Sequence, residues 1–255
     1  MTTSLPILMY HAVAPVPGPL RRLGVPPAVL REQLETLLNT GFRLTGLSEA
    51  LTGDDHPTVA LTFDDAYRDF LDAVPILADV GATATLYVPA GHVGARATWV
   101  GEEFAPILDW AAIRDLASAG VEIGNHGLLH EPLDVIRPSA AAQAISAAKD
   151  LIETAIDAPV RTFAYPHGYH DTAVRRAVAA TGHDNACAIG HRTARLDDDD
   201  AYALPRLQPG PDHSGADLLR MIRETPPPSV RLKQLAQPGW RLARRLARAG
   251  GATVT

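Results

Sequence analysis

Two pairs of side chains in this sequence of 255 residues could bind one metal ion between them. His126 and His130 are four positions apart, a spacing that puts both imidazoles on one face of a helix. Asp64 and Asp65 are adjacent and follow an apolar, β-branched run over residues 59–63. Two histidines and one carboxylate would hold the ion and leave positions open for water and a substrate.

The two adjacent carboxylates raise a structural problem if a strand simply continues through them. The pleat sends neighbouring side chains to opposite faces, so one carboxylate would be buried without compensation. A turn directly after the strand would solve this problem, and so would a bound metal ion. A further interpretation is that Asp65 caps a helix that begins near Tyr67.

The elements around these residues alternate between strands and helices. The predicted strands cover residues 5–10, 42–45, 62–65, 82–88, 121–124, 161–165, 185–189 and 204–207. The predicted helices cover residues 27–39, 67–80, 109–119, 139–156, 171–180 and 216–223. Seven or eight such units in about 220 residues favour an α/β barrel of parallel strands, whose functional groups collect where the strands end.

Five short segments carry a resemblance to a known family: Thr62-Phe63-Asp64-Asp65, the His126 and His130 pair, residues 163–168, Met9-Tyr10-His11 and Leu204-Pro205-Arg206. They resemble the polysaccharide deacetylase family, the NodB-homology domain of carbohydrate esterase family four. The first three segments match the family motifs in order and spacing. The last two resemble a branch of the family that has an N-terminal Tyr-His element.

The resemblance implies a distorted (β/α) barrel of about seven parallel strands. It also implies hydrolysis of an acetyl group on a sugar, with an N-acetyl group as the first expectation and an O-acetyl group as the alternative. Asp64 would be the general base. The metal ligands would be Asp65, His126 and His130, with one divalent ion, Zn²⁺ as the first expectation and Co²⁺, Ni²⁺ or Mn²⁺ as alternatives. Tyr165, Pro166, His167 and Gly168 would bind the substrate, and the backbone N–H of His167 would stabilise the oxyanion.

The sequence departs from the family pattern at four positions. Ala66 replaces the usual glycine after the Asp pair, and Gly127 replaces a hydroxyl residue after the first histidine. His167 stands where an aromatic residue is common, and Ala164 stands where many members have an arginine that orients the catalytic Asp. Arg206 is the candidate substitute for that arginine, the alternative being a surface salt bridge.

Two other functions stay open, and the first of them is prompted by the departures at Ala66, Gly127 and His167. One is a catalytically weak or inactive, carbohydrate-binding descendant of the same fold. The other is an unrelated metal hydrolase on a barrel, although the third motif disfavours it.

Protonation of the leaving group needs an acid with a pKa near neutrality, and histidine is the usual choice. His11 follows the first predicted strand, which neighbours the last strand in a closed barrel. We therefore predict that His11 is the acid. The alternatives are that His11 only bonds a loop backbone, or that His213 takes the role.

Charge divides the chain into a predicted domain over residues 1–225 and a Pro-rich, then basic tail over residues 226–255. The net charge is −6, yet the tail carries six positive charges and no negative ones. The acidic main part argues against nucleic-acid binding. The tail either contacts an anionic membrane surface or is simply solvated.

The sequence also bears on the cellular compartment and on redox chemistry. Residues 1–10 lack the charged and apolar pattern of a signal peptide, so we expect a cytoplasmic protein. The resemblance implies that its partner is an acetylated sugar. The single Cys187 excludes an internal disulfide, and its apolar neighbours indicate a buried structural thiol.

Overall fold

Seven parallel strands curve into a distorted barrel, as predicted, with helices packed around the outside. The structure is a computed structural model that describes residues 4–53, 56–99 and 106–224, together with Arg244. The strands are β1 Ser4–Leu5, β2 Ile7–Tyr10, β3 Arg43–Thr45, β4 Thr58–Phe63, β5 Thr85–Val88, β6 Glu122–Asn125, β7 Thr162–Ala164, β8 Asn185–Cys187 and β9 Ala194–Arg195. The helices are α1 Pro27–Asn39, α2 Leu47–Leu51, α3 Phe70–Asp79, α4 Trp110–Ser118, α5 Pro138–Ile156, α6 Thr172–Ala180 and α7 Gly215–Arg223.

The barrel sheet has the strand order β2-β4-β5-β6-β7-β8, and β3 pairs with the first half of β4. Outside this sheet, β1 and β9 form a short antiparallel pair. The register of β2 on β4 sets Ile7 beside Ala60 and Tyr10 beside Phe63, so both strands end at the same level. Every pairing within the barrel sheet is parallel, and consecutive strands are joined through helices or long loops.

The segment predicted as the last strand closes the barrel without forming a regular strand. Leu204 bridges to Cys187 of β8, and Leu207 bridges to Leu8 of β2, both in parallel sense. The backbone N–H of Met9 donates to the carbonyl of Leu207 at 2.7 Å. Pro205 interrupts the ladder because proline has no N–H to donate. The first and last parts of the barrel are therefore neighbours, as the sequence predicted.

Alternation along β4 separates the two sides of the barrel wall. Leu61 and Phe63 belong to the large apolar cluster that packs against α1 and α3. Ala60 belongs to a second cluster, with Tyr87 and Cys187, that fills the barrel interior. Because side chains alternate along a strand, Asp64 continues the inner row of β4 toward its carboxyl end.

Two local predictions, one about the segment after β4 and one about the segment after β6, are wrong. The helix expected from Tyr67 begins at Phe70, so Asp65 does not cap it. The expected helical face under His126 and His130 is absent, because both histidines follow β6 in irregular backbone. The helices in the described part of the chain are all too short or too polar to cross a lipid bilayer.

The predicted tail over residues 226–255 lies outside the described residues, except for Arg244. Membrane contact through this tail stays a prediction, and so does the division into domain and tail. Arg244 is 4% exposed and contacts the domain, so at least one of the six basic side chains does not face solvent.

Candidate active site

One cavity of about 310 Å³ lies at the carboxyl ends of the barrel strands. Side chains that follow four different strands reach it: His11 after β2, Asp64 and Asp65 after β4, His126 after β6 and His167 after β7. The parallel register places these strand ends together, so residues that are far apart in sequence face one space.

The chain turns sharply after β4 and brings both carboxylates to the same cavity. Asp65 and Ala66 have φ of 74° and 49°, in the left-handed region. A turn was one of the two solutions that the sequence offered for the adjacent carboxylates, and the turn is present. For a residue with a Cβ, the left-handed conformation costs about 1–2 kcal/mol, so Ala66 carries strain that a glycine would avoid.

The loop after β6 is shaped by Gly127 and the side chain of Asn125. Gly127 has φ of 76°, and its N–H donates to the Asn125 side-chain oxygen at 2.8 Å. Its carbonyl accepts from the N–H of Ala90 at 3.1 Å. This left-handed residue prevents the predicted helix, and the amide of Asn125 orders the loop in place of the missing hydroxyl.

Asp65, His126 and His130 form a buried cluster whose potential ligand atoms all lie within 4.8 Å of one another. Asp65 Oδ1 lies 3.4 Å from Nε2 of His126 and 3.0 Å from Nε2 of His130. Nδ1 of His126 lies 2.8 Å from the carbonyl of Ala164. A proton on that Nδ1 leaves the Nε2 lone pair directed at the cluster, which is the arrangement of a metal-binding imidazole.

The cluster fits a divalent metal ion. Asp65 Oδ1 is buried and makes no hydrogen bond of normal geometry within the described part of the chain. Burial would raise the pKa of Asp65, but His130 and His126 outweigh it and hold that pKa well below its usual value. A carboxylate and two imidazole nitrogens that meet in a buried space suit Zn²⁺ and related ions, and three ligands leave positions open.

Arg206 belongs to the segment that closes the barrel. Its side chain is fully buried and binds the carboxylate of Asp64. Its two terminal nitrogens donate to the two oxygens of Asp64, each at 2.7 Å, and one of them also donates to Thr62 Oγ1 at 3.1 Å. Its Nε donates to the carbonyl of Ala188 at 3.2 Å. Burial would raise the pKa of Asp64, but Arg206 and His126 lower it below the usual value. The alternative of a surface salt bridge is therefore wrong.

His11 lines the cavity, whereas His213 does not. Nε2 of His11 lies 4.0 Å from Asp64 Oδ2. Burial lowers the pKa of His11, and the charges of Asp64 and Asp65 oppose that shift. His213 instead accepts a hydrogen bond from the N–H of Gly210 through Nδ1, at 3.0 Å.

Four residues of the third motif, residues 163–168, were predicted to bind the substrate, and two of them line the cavity while two lie in the core. His167 and Gly168 line the cavity, and both have left-handed backbone. A Cβ on Gly168 would lie 2.6 Å from Ile189, so only glycine fits there. Tyr165 is fully buried behind the site and donates to the carbonyl of Tyr202 at 2.8 Å. Tyr165 and Pro166 do not line the cavity, which corrects their predicted contact with substrate.

Two aromatic residues of the cavity wall were not predicted. Trp99 stacks on His130 with ring centres 4.1 Å apart and an interplanar angle of 22°. Tyr169 directly follows the third motif and lines the same cavity. Trp99 lies in the long glycine-containing loop after β5, and loops of that length are usually functional, which was the one available signal.

We expect Arg206→Met to shift the pH dependence of the reaction and to destabilise the fold. Without the guanidinium, the pKa of Asp64 rises, so the acid limb of the kcat/KM profile moves to higher pH. Breaking one side of a buried ion pair costs about 3–5 kcal/mol, because the remaining charge is uncompensated. Chemical denaturation and pH–rate profiles measure the two effects.

The matched control for Arg206→Met is Arg161→Met. Arg161 pairs with Asp184 at the surface, where both side chains are more than half exposed, so less than about 1 kcal/mol is expected. The folded-state pKa of Asp64 is depressed, so its ionic contribution is present above the unfolded pKa of about 3.9 and is lost as pH falls through the folded value. An unshifted acid limb in Arg206→Met would contradict this account of Asp64.

Fold and site together define an α/β-barrel protein whose cavity holds ionised carboxylates, histidines and a cluster suited to a metal ion. The chain belongs to the polysaccharide deacetylase family, because the family profile matches residues 52–186, more than half of the chain. The matched region contains Asp64, Asp65, His126 and His130, whereas His11 and Arg206 lie outside it.

Solved structures with the same fold come from several bacteria. The Streptococcus pyogenes deacetylase PplD in complex with acetate is 24% identical, with a TM-score of 0.75, and the match covers 88% of this chain and 100% of that one. IcaB from Ammonifex degensii is 22% identical, with a TM-score of 0.73 and coverage of 86% and 96%. BC0361, a polysaccharide deacetylase from Bacillus cereus, is 20% identical, with a TM-score of 0.75 and coverage of 87% and 70%. No curated protein matches the chain.

Proposed function

We propose that this chain is a metal-dependent carbohydrate deacetylase that hydrolyses an N-acetyl group on a sugar. The observation that carries the proposal is the meeting, in one cavity, of the Asp65–His126–His130 cluster with an Asp64 held by Arg206. Family membership supports deacetylation of a carbohydrate. The acetate in the complex of the S. pyogenes protein is in keeping with an acetyl substrate.

Asp65, His126 and His130 are the proposed ligands of one divalent ion, with Zn²⁺ expected first. When bound, such an ion would polarise the acetyl carbonyl and lower the pKa of a water molecule. The interaction of Nδ1 of His126 with the Ala164 carbonyl orients the imidazole for this role. The stacking of Trp99 on His130 restricts the second imidazole.

Asp64 is the proposed general base, which takes a proton from the attacking water. Arg206 occupies one direction on each carboxylate oxygen, and a carboxylate has about four acceptor sites, so room for the water proton remains. The low pKa keeps Asp64 ionised and ready to accept the proton. The guanidinium also fixes the orientation of the carboxylate, so the base does not need to reorganise during the reaction.

His11 is the proposed acid that protonates the leaving amine nitrogen. It lines the same cavity as the cluster, and its Nε2 lies 4.0 Å from Asp64 Oδ2. His167 is less suited to this role, because burial and the neighbouring His130 lower its pKa to about 3. The backbone N–H of His167 is the proposed donor to the developing oxyanion.

An acetate-release assay with bound-metal analysis tests the proposal. The purified chain, loaded with Zn²⁺ or Co²⁺, is expected to release acetate from N-acetylglucosamine oligosaccharides and to lose that activity on chelation. Binding of the oligosaccharide without acetate release would favour the carbohydrate-binding alternative. Bound metal without release from N-acetylated or O-acetylated sugars would favour other metal-assisted chemistry.

We expect His11→Ala to lower kcat by about 10²–10⁴-fold while metal binding stays normal, because general acid catalysis contributes that much. A protonated acid is needed, so activity falls as pH rises through the pKa of His11. Since burial lowers that pKa, the alkaline limb should begin below the ordinary histidine value of about 6.5 and should move or vanish in the variant.

The control for His11→Ala is His213→Ala, which removes an imidazole that does not reach the cavity. Its kcat and its pH profile are expected to match the wild type. If His213→Ala removes the alkaline limb and His11→Ala keeps it, the acid has been misassigned between the two residues.

A further inference from the structure

Arg244 lies far from the family motifs in sequence, yet it contacts the two loops next to the active site. Its terminal nitrogens donate to the two oxygens of Asp134, at 2.9 and 2.8 Å. The same guanidinium lies over the ring of Tyr169, with its central carbon 3.5 Å from the ring centre. Arg244 and Asp134 are 4% and 2% exposed, so this ion pair is buried.

The two partners of Arg244 belong to the loops that carry the site. Asp134 lies in the short helical turn Leu133–Val135, four residues after the cluster member His130. Tyr169 directly follows the turn Pro166–Gly168, which contributes His167 and Gly168 to the cavity wall. Through its two contacts, Arg244 therefore joins the loop after β6 to the loop after β7.

A continuous series of ring contacts connects Arg244 to the Asp65–His126–His130 cluster. The rings of Tyr169 and His167 stack with centres 6.0 Å apart, and the His167 ring meets the His130 ring at 4.6 Å. His130 in turn stacks on Trp99 at 4.1 Å. Arg244 stands at the outer end of this series, so the guanidinium limits how far Tyr169 can move away from the cavity.

We propose that Arg244 is a positioning residue of the deacetylase site, which acts through Tyr169 to fix the cavity wall that contacts the sugar. The proposal rests on the deacetylase function proposed above. Arginine suits this position, because a planar guanidinium can bind a carboxylate with two parallel hydrogen bonds and stack on an aromatic face at the same time. A lysine would keep the charge and lose both geometric features.

The proposal predicts an effect on KM with little effect on kcat. Residues of the cavity wall that contact the sugar away from the reacting group stabilise the bound substrate and the transition state about equally. If the wall is misplaced, substrate binding weakens and KM rises, while kcat of the bound complex stays the same. A purely structural role would instead reduce the fraction of folded enzyme, which lowers the apparent kcat and leaves KM unchanged.

The experiment compares Arg244→Gln with the wild type in the full-length, metal-loaded chain, with N-acetylglucosamine oligosaccharides as the probe. We expect KM to rise about tenfold and kcat to change less than about threefold. We also expect faster backbone hydrogen exchange over residues 131–136 and 166–171. Arg244→Lys should give an intermediate KM, because it keeps only the charge.

Two further variants separate the proposed action from general disturbance. Arg161→Gln breaks an exposed Arg–Asp pair and should leave KM and exchange unchanged. Tyr169→Ala should raise KM by itself, and adding Arg244→Gln to it should cause no further rise, because the arginine acts through that ring.

Three outcomes would overturn the proposal. They are a wild-type KM in Arg244→Gln, a fall in kcat alone, or additive effects of the two substitutions. If the wild type releases no acetate at all, the proposed function fails. The positioning role is then decided by calorimetric affinity for the same oligosaccharide, which must weaken about tenfold in Arg244→Gln together with faster exchange in both loops.

Discussion

Asp64→Asn is expected to lower kcat by about 10²–10⁴-fold while the metal stays bound, which is the usual contribution of a general base. An amide fills the same space as the carboxylate but cannot accept the proton of the attacking water. Asp65, His126 and His130, the proposed metal ligands, are untouched by the substitution. Acetate release and metal stoichiometry, measured on the same purified sample, check both parts of this expectation.

Asp64→Asn also leaves the fully buried Arg206 without its counter-charge, so lower stability must be separated from lost chemistry. The double variant Asp64→Asn/Arg206→Met removes both charges and should regain stability while it stays inactive. Asp65→Asn is the comparison for roles: it should lose metal and activity together. Metal lost in Asp64→Asn but retained in Asp65→Asn would mean that the two assignments are reversed.

The turn at the Asp pair could be named from the sequence as one of two solutions, beside a bound metal ion, because the argument was local. Two neighbouring carboxylates at the end of a buried strand cannot both face one cavity unless the backbone reverses its pleat. The left-handed conformations of Asp65 and Ala66 perform this reversal. Ala66 was singled out in a different way, by the resemblance, because the family usually has a glycine after the Asp pair and glycine takes this conformation without strain.

The histidine pair illustrates the limit of spacing arguments. The two imidazoles do converge, but through an irregular loop, and the helix that the spacing predicted is absent. A separation of four positions fits one turn of a helix, and it equally fits a loop in which Gly127 and His130 have positive φ. Which backbone occurs depends on Asn125 and on contacts with Ala90, and the pattern of apolar residues does not encode those contacts.

Residues that reach the site across the barrel were the hardest to assign. Arg206 was only a candidate. It can reach Asp64 only because the closing segment lies between β8 and β2, and the sequence alone does not show that placement. Once the barrel is closed, Arg206 passes through the interior and meets Asp64, 142 positions earlier in the chain. Arg244 could not have been singled out from the sequence. It is one of six basic residues in the tail, and no motif distinguishes it from the other five.

His126→Ala is expected to abolish metal binding and to reduce activity to the level of the chelated wild type. Removing one imidazole leaves a carboxylate and a single histidine, too few ligands for a tight site. The best thermodynamic measurement is stability with and without the ion. Zn²⁺ at about 100 times its Kd should raise the wild-type free energy of unfolding by about 2.7 kcal/mol and should leave the variant unchanged.

The control for lost packing is His183→Ala, since His183 is as buried as His126, at 2% exposure, and lies outside the cavity. Its Nε2 lies 3.3 Å from the side-chain nitrogen of Asn125, on the strand that precedes the histidine loop. A comparable loss of stability with full metal content is expected there. Both variants remove one buried imidazole near β6. If only His126→Ala loses the ion, the loss is caused by the missing ligand and not by the missing packing. Stoichiometric metal in purified His126→Ala would contradict the cluster as the binding site.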